Sequence, residues 1–210
     1  QLTSEQKQQA WQDYIRSKGL GCLNWPDATL QLKARVALLR QYQPAALWPD
    51  WSDVALETNL SDWLGPYLAT VSRSSALEQL PLQDALLQQL TYQQQQQLAL
   101  LTPSHWQAPT GSRVVIDYCA EGGPRLSLRV QEMYGQMQSP TLLQGQLAIT
   151  VELLSPARQP LQVTQNLASF WQNAWQEVRK EMRGRYPKHY WPEDPAQAMP
   201  TTKTKKAMHK

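Results

Sequence analysis

The residues best suited to chemistry lie in one stretch, EVRKEMRGRYPKHYWPEDP, from Glu177 to Pro195. Five cationic side chains fall within ten residues (Arg179, Lys180, Arg183, Arg185, Lys188), and His189, Tyr190 and Trp191 follow directly. Guanidinium and ammonium groups pair with phosphate oxygens, and aromatic rings stack on unpaired bases. These eight residues are therefore the nucleic-acid-binding candidates. Two other readings stay open. Arg, Tyr and Trp are also the residue types that dominate protein–protein hot spots, so the stretch suits docking onto a partner. The aromatics can equally fold back and close a core, since large rings are usually highly buried.

Other chemistry has little to stand on. The sequence contains no phosphate-binding loop of the G-x-x-x-x-G-K-[ST] type, no dinucleotide G-x-G-x-x-G and no G-x-S-x-G elbow. Its three histidines are His105, His189 and His209, and none stands at zinc-ligand spacing to a second histidine or cysteine. Asp117 and Glu132 have no evident acid–base partner and read as structural or surface carboxylates. No catalytic residue, cofactor-binding residue or metal ligand is assigned, and the stretch is not expected to be an enzyme by itself.

Charge singles out the same end of the chain. Residues 1–170 hold 11 Lys/Arg against 13 Asp/Glu, a net of −2, and residues 171–210 hold 9 against 4, a net of +5. That asymmetry suits a polyanion-facing end on a near-neutral body. With 210 residues and 41% hydrophobic content the chain can bury a core. Two cysteines, Cys22 and Cys119, make no disulfide framework and point to a reducing, cytoplasmic setting. No run of 18 apolar residues predicts a membrane segment. The sequence begins at Gln1 rather than Met, which is expected of a piece of a longer chain.

The elements that must position the cationic stretch fall into an α+β class. Thr3-Ser4-Glu5-Gln6 fits a capping box, and Gly19 fits the end of the helix it opens. A second helix is expected from Asp27 to about Tyr42 with Leu30, Ala34, Ala37 and Leu38 inward, and shorter helices up to Leu100, with Gln93–Gln97 on exposed turns. Arg113–Tyr118 and Pro124–Val130 read as a hairpin around Glu121-Gly122-Gly123, Leu147–Leu154 as a third strand and Pro160–Thr164 as its return. The expectation is an N-terminal helical layer, then an antiparallel β meander covered by a long amphipathic helix over 166–183. That helix has Leu167, Phe170, Trp171, Ala174, Trp175, Val178 and Met182 on one stripe and ends at Gly184. Arg179 and Arg183 flank the stripe and are expected to be exposed. Three regions follow: a helical subdomain (1–102), a β-rich subdomain with the C-terminal helix (103–195) and a disordered basic tail (196–210) holding Lys203, Lys205, Lys206, His209 and Lys210.

The blocks PTGSR (Pro109–Arg113), IDY (Ile116–Tyr118), RVQEMYG (Arg129–Gly135) and LLSPARQPLQVTQNLASFW (Leu153–Trp171), with the cationic stretch itself, resemble the C-terminal region of bacterial HrpB-type DEAH-box ATP-dependent RNA helicases. The similarity is strongest over 106–195. It departs from the family pattern at Asn166, where an aspartate is expected, and at Tyr190, where a proline is expected. The resemblance implies a parent chain with two RecA-like ATPase domains, a winged-helix domain and a helical bundle, which bind ATP and Mg outside this stretch. It implies a non-catalytic accessory region here, with RNA, the other domains of the same chain or a protein partner as what it contacts.

Overall fold

Helix-forming sequence with Trp and Leu anchors fills the first half, and β-branched alternating sequence the second. The computed structural model describes residues 3–208 and divides into two compact units, 1–100 and 101–210. His209, Lys210 and the start at Gln1, on which expectations were stated above, lie outside the described residues.

The first unit contains α1 (Ser4–Lys18), α2 (Asp27–Tyr42), α3 (Asp53–Thr58), α4 (Leu60–Trp63), α5 (Gly65–Leu68), α6 (Leu82–Leu87) and most of α7 (Tyr92–Leu101). The capping box forms: Thr3 Oγ1 accepts from Gln6 N, and Gln6 Oε1 accepts from Thr3 N. Gly19, at φ 78°, ends α1. The glutamine run lies on α7 and is mostly exposed. On α2 the expected inward face is corrected. Thr29, Leu32, Val36 and Leu39 are buried, whereas Leu30 and Ala37 are exposed. Apolar residues occur all round this helix, so periodicity left its phase undetermined.

The second unit holds β1 (His105–Gln107), β2 (Arg113–Asp117), β3 (Arg125–Arg129), β4 (Thr141–Leu142), β5 (Leu147–Ala148), β6 (Thr150–Leu154) and β7 (Pro160–Thr164), then α8 (Leu167–Asn173), α9 (Trp175–Arg185) and α10 (Lys205–Met208). The fold is α+β. The hairpin β2–β3 and the return of β7 on β6 are antiparallel, as expected. The meander itself is corrected: the sheet order is β1-β2-β3-β6-β7, and β3 and β6 run parallel. Parallel neighbours need a long crossover, and residues 130–149 supply it, carrying the separate two-stranded sheet β4–β5. The run Leu147–Leu154, read as one strand, is divided at Ile149 between those two sheets.

Period-two alternation gives the larger sheet two distinct faces. Ile116, Leu126, Leu128, Val151 and Leu153 are buried, while Arg113, Val115, Ser127 and Val163 are exposed. The C-terminal helix is broken at Ala174 into α8 and α9. Asn173 Nδ2 donates to the Ser169 carbonyl at 3.0 Å, a side chain competing for a helix acceptor at the break. Residues 196–208, expected to be disordered, are instead held to the rest of the unit. Ala198 and Thr201 are buried, and Thr201 N donates to Gln131 O at 2.9 Å.

Candidate nucleic-acid interface

The helix α8 that precedes the cationic stretch is capped by Asn166, whose Oδ1 accepts from Ser169 N at 2.9 Å. Asparagine thus makes the N-cap bond that an aspartate there would make. Trp171 and Trp175 are buried as expected, Trp175 at 0% exposure, but Val178 is only half-buried. The rings around Trp175 belong to Tyr134, Phe170, Trp171 and Trp191, with centroids 5.5–6.3 Å away. Edge-to-face pairs dominate, the arrangement that aromatic quadrupoles favour. Burial pushes the Tyr134 hydroxyl far above its usual pKa, with Tyr190 adding to the effect. Its proton is donated to Tyr190 O at 2.9 Å.

Gly184 does not stop the helix. It keeps helical backbone, and α9 runs on to Arg185. Tyr186 N closes the last turn on Met182 O, and Pro187 then forbids continuation, since the residue before a proline is driven out of the helical region.

Beyond Tyr186 the chain doubles back along α9 and is fastened there by side chains of the helix. Trp175 Nε1 donates to Pro192 O at 3.0 Å, Arg179 Nε to Trp191 O at 3.1 Å and Gln176 Nε2 to Glu193 O at 3.1 Å. Arg179 also pairs with Glu193 at 3.3 Å, and its side chain is only 17% exposed. The expectation that Arg179 is exposed is therefore corrected: its donors are used to hold the returning loop. Trp191 is 4% exposed, and its Nε1 donates to Tyr186 O. A buried ring offers no face to a base, so among the three readings Trp191 follows the core one.

Lys180, Arg183, Arg185 and Lys188 remain exposed. Arg185 meets Glu181 at 3.1 Å and lies 5.8 Å from the Tyr186 ring. Tyr190 and His189 are half-buried. Burial lowers the His189 pKa, and the charge of Arg129 lowers it further. Sequence reasoning missed what the last residues do here. Lys205 N donates to Lys188 O at 3.0 Å, and its Nζ donates to Pro187 O at 3.2 Å. Two cations 17 residues apart thus share one surface. The sequence offered little signal for this: in the Ala196–Thr201 run only Ala198 and Thr201 are buried, and Met199 is 75% exposed. Among the described residues, no group of three or more His, Cys, Asp or Glu side chains is placed to hold a metal ion, and no helix is long and apolar enough to cross a membrane.

The second unit is thus an α+β unit whose basic helix is fastened by the loop that follows it, and the comparisons give the chain a family. The model of the family described as ATP-dependent helicase C-terminal matches residues 63–195, and the chain belongs to that family. It is 42% identical over 204 residues to the ATP-dependent RNA helicase HrpB of Escherichia coli (strain K12), which covers 97% of this chain and 25% of that protein. The crystal structure of the E. coli DExH-box NTPase HrpB superposes with a TM-score of 0.90 at 41% identity, covering 97% of this chain and 25% of its own. A second, of the E. coli DEAH/RHA helicase HrpB, gives a TM-score of 0.77 at 39% identity over 91% of this chain and 24% of its own. The chain thus spans about a quarter of the length of the curated relative it matches.

Proposed function

We propose that this chain is the non-catalytic accessory region of a cytoplasmic ATP-dependent RNA helicase, and that it contributes RNA contacts through Lys180, Arg183, Arg185 and Lys188, joined by Lys205. ATP and Mg are then bound and used by the remainder of the helicase. The observation that carries this reading is the exposed cation row at the end of α9, which the structure holds in place by using Arg179, Gln176 and Trp175 to fasten the loop behind it. Long cationic side chains on a rigid helix end neutralise phosphates without reading base edges. Burial and the charge of Arg129 lower the His189 pKa, which disfavours its charged form in that contact.

A second reading, docking onto the helicase's other domains or onto a protein partner, is favoured by the length of the relative, three quarters of which lies outside this chain. Salt separates the two. Titration of the chain with single-stranded and duplex RNA at several salt concentrations should give a steep log–log dependence. Replacing Lys180, Arg183 and Lys188 by Ala should reduce the single-strand slope by about 2, from ~0.7 per phosphate. Unchanged affinity and slope in that variant would favour docking instead.

A further inference from the structure

The outer face of the larger sheet carries the other arginines of the second unit. Its groove, of about 470 Å³, is lined by Arg113, Arg125, Arg129 and Arg158, with Asp117 and Glu132 as its carboxylates. On β3, Arg125, Ser127 and Arg129 share this face, and four residues of strand separate the two guanidinium positions by about 13 Å. The β2–β3 register pairs Asp117 with Arg125 and Ile116 with Leu126. Arg113 and Arg129 line the same groove. Like charges gathered in one groove repel each other. One carboxylate, Glu132, compensates there: it lies 3.6 Å from Arg129 and accepts from Thr110 Oγ1 at 3.0 Å. Arg113 and Arg158 form no ion pair among the described residues, and Arg125 Nε is buried without a hydrogen-bond partner. Glu152, beside the groove, is engaged by Ser127 Oγ at 2.5 Å, and Asp117 Oδ1 accepts from Cys119 N at 2.9 Å. Arg158 lies in a turn closed by its own N–H on Ser155 O, with Ser155 buried, so its backbone is held at the groove's edge.

We infer that this sheet face is a second phosphate-binding surface, which takes the backbone of an RNA strand through Arg113, Arg129 and Arg158. Guanidinium forks match phosphate oxygens bidentately, and an excess of cations lining one groove is relieved by an anionic ligand. The choice of RNA over an acidic peptide rests on the helicase reading above and on two local facts. The groove has no aromatic residue in its lining to anchor a peptide. At its Arg129 end the charge of that arginine acts on His189, the chain neighbour of the exposed Lys188. With no ring to stack on bases, the surface contacts single-stranded and duplex RNA alike.

The test uses the 210-residue chain with Arg113→Ala and Arg158→Ala together, both residues being exposed. The variant should keep the wild-type thermal midpoint, and its log–log salt slope for single-stranded RNA should shrink by about 1.4, at ~0.7 per phosphate. Arg113→Gln with Arg158→Gln removes the charge while keeping most of each side chain and should give the same loss of slope, which covers the case in which the alanine variant unfolds. A native midpoint with an unchanged slope overturns the inference. If the α9 variant alone loses RNA, the groove fails and the proposed function stands. If the wild-type chain does not bind RNA, both fall. If the double variant loses poly-glutamate but keeps RNA, the groove is a protein-docking face and the inference is wrong.

Discussion

Trp175 concentrates several roles in one side chain. It is fully buried, touches four aromatic rings and donates to the Pro192 carbonyl, so it links the helix core to the loop that carries Lys188. Trp175→Ala leaves a cavity and an unpaired buried carbonyl together, and a loss of about 3–5 kcal/mol in urea denaturation is expected. Loss below about 1 kcal/mol would mean that the ring cluster does not organise this unit. His189 makes a different prediction. Its folded pKa lies below its ordinary value because of burial first and Arg129 second. The unfolded chain therefore binds a proton more readily than the folded one, so this residue costs nothing above the unfolded pKa of about 6.5 and costs stability as pH falls through it. His189→Gln should flatten the decline in stability between about pH 7 and pH 5. An unaltered pH profile would show that the decline comes from other groups.

At the level of the element, α9 has one fastening side and one free side, which two substitutions separate. Arg179→Ala removes a bond to the Trp191 carbonyl and the pair with Glu193, and a cost of about 1 kcal/mol is expected. Arg183→Ala should stay within about 0.5 kcal/mol and act on RNA affinity instead. Equal stability of the two variants would contradict the fastening role. Periodicity was sufficient to place Trp171 and Trp175 inward, because a 3.6-residue stripe needs only local sequence. It was not sufficient for Arg179, since the groups that consume its donors come from the loop 12 and 14 residues on and appear only once that loop folds back. The same limit applies to the sheet. Alternation identified β3, and β-rich composition and turns identified β2 and β7, but the parallel pairing of β3 with β6 depends on a 20-residue crossover with no periodic signal. The sorted face of α2 failed for the opposite reason, as too many of its positions are apolar to mark a single side.

For the whole molecule, the segment after Pro195 decides whether the second unit is closed or merely trailed by a basic tail. Gly135 N donates to Pro195 O at 2.8 Å, and Gly135 has φ +78°, with the Ala198 carbonyl 3.0 Å from where a Cβ would be. Only glycine combines that left-handed backbone with so close an approach. Thr201 N then bonds Gln131 O, and Lys205 reaches Lys188. The segment thus spans from the crossover to the end of α9, tying stability and cation placement to the same residues. Deleting 196–210 should therefore lower stability by about 2 kcal/mol, from one buried backbone hydrogen bond and the apolar surface of Ala198, and should also weaken RNA binding. Replacing Lys203, Lys205 and Lys206 by Ser in the complete 210-residue chain should weaken RNA binding while leaving the thermal midpoint near that of the wild type. A disordered tail would behave otherwise: the deletion and the serine variant would be indistinguishable in stability. Native midpoints in both would sink the strap, whatever they did to RNA affinity.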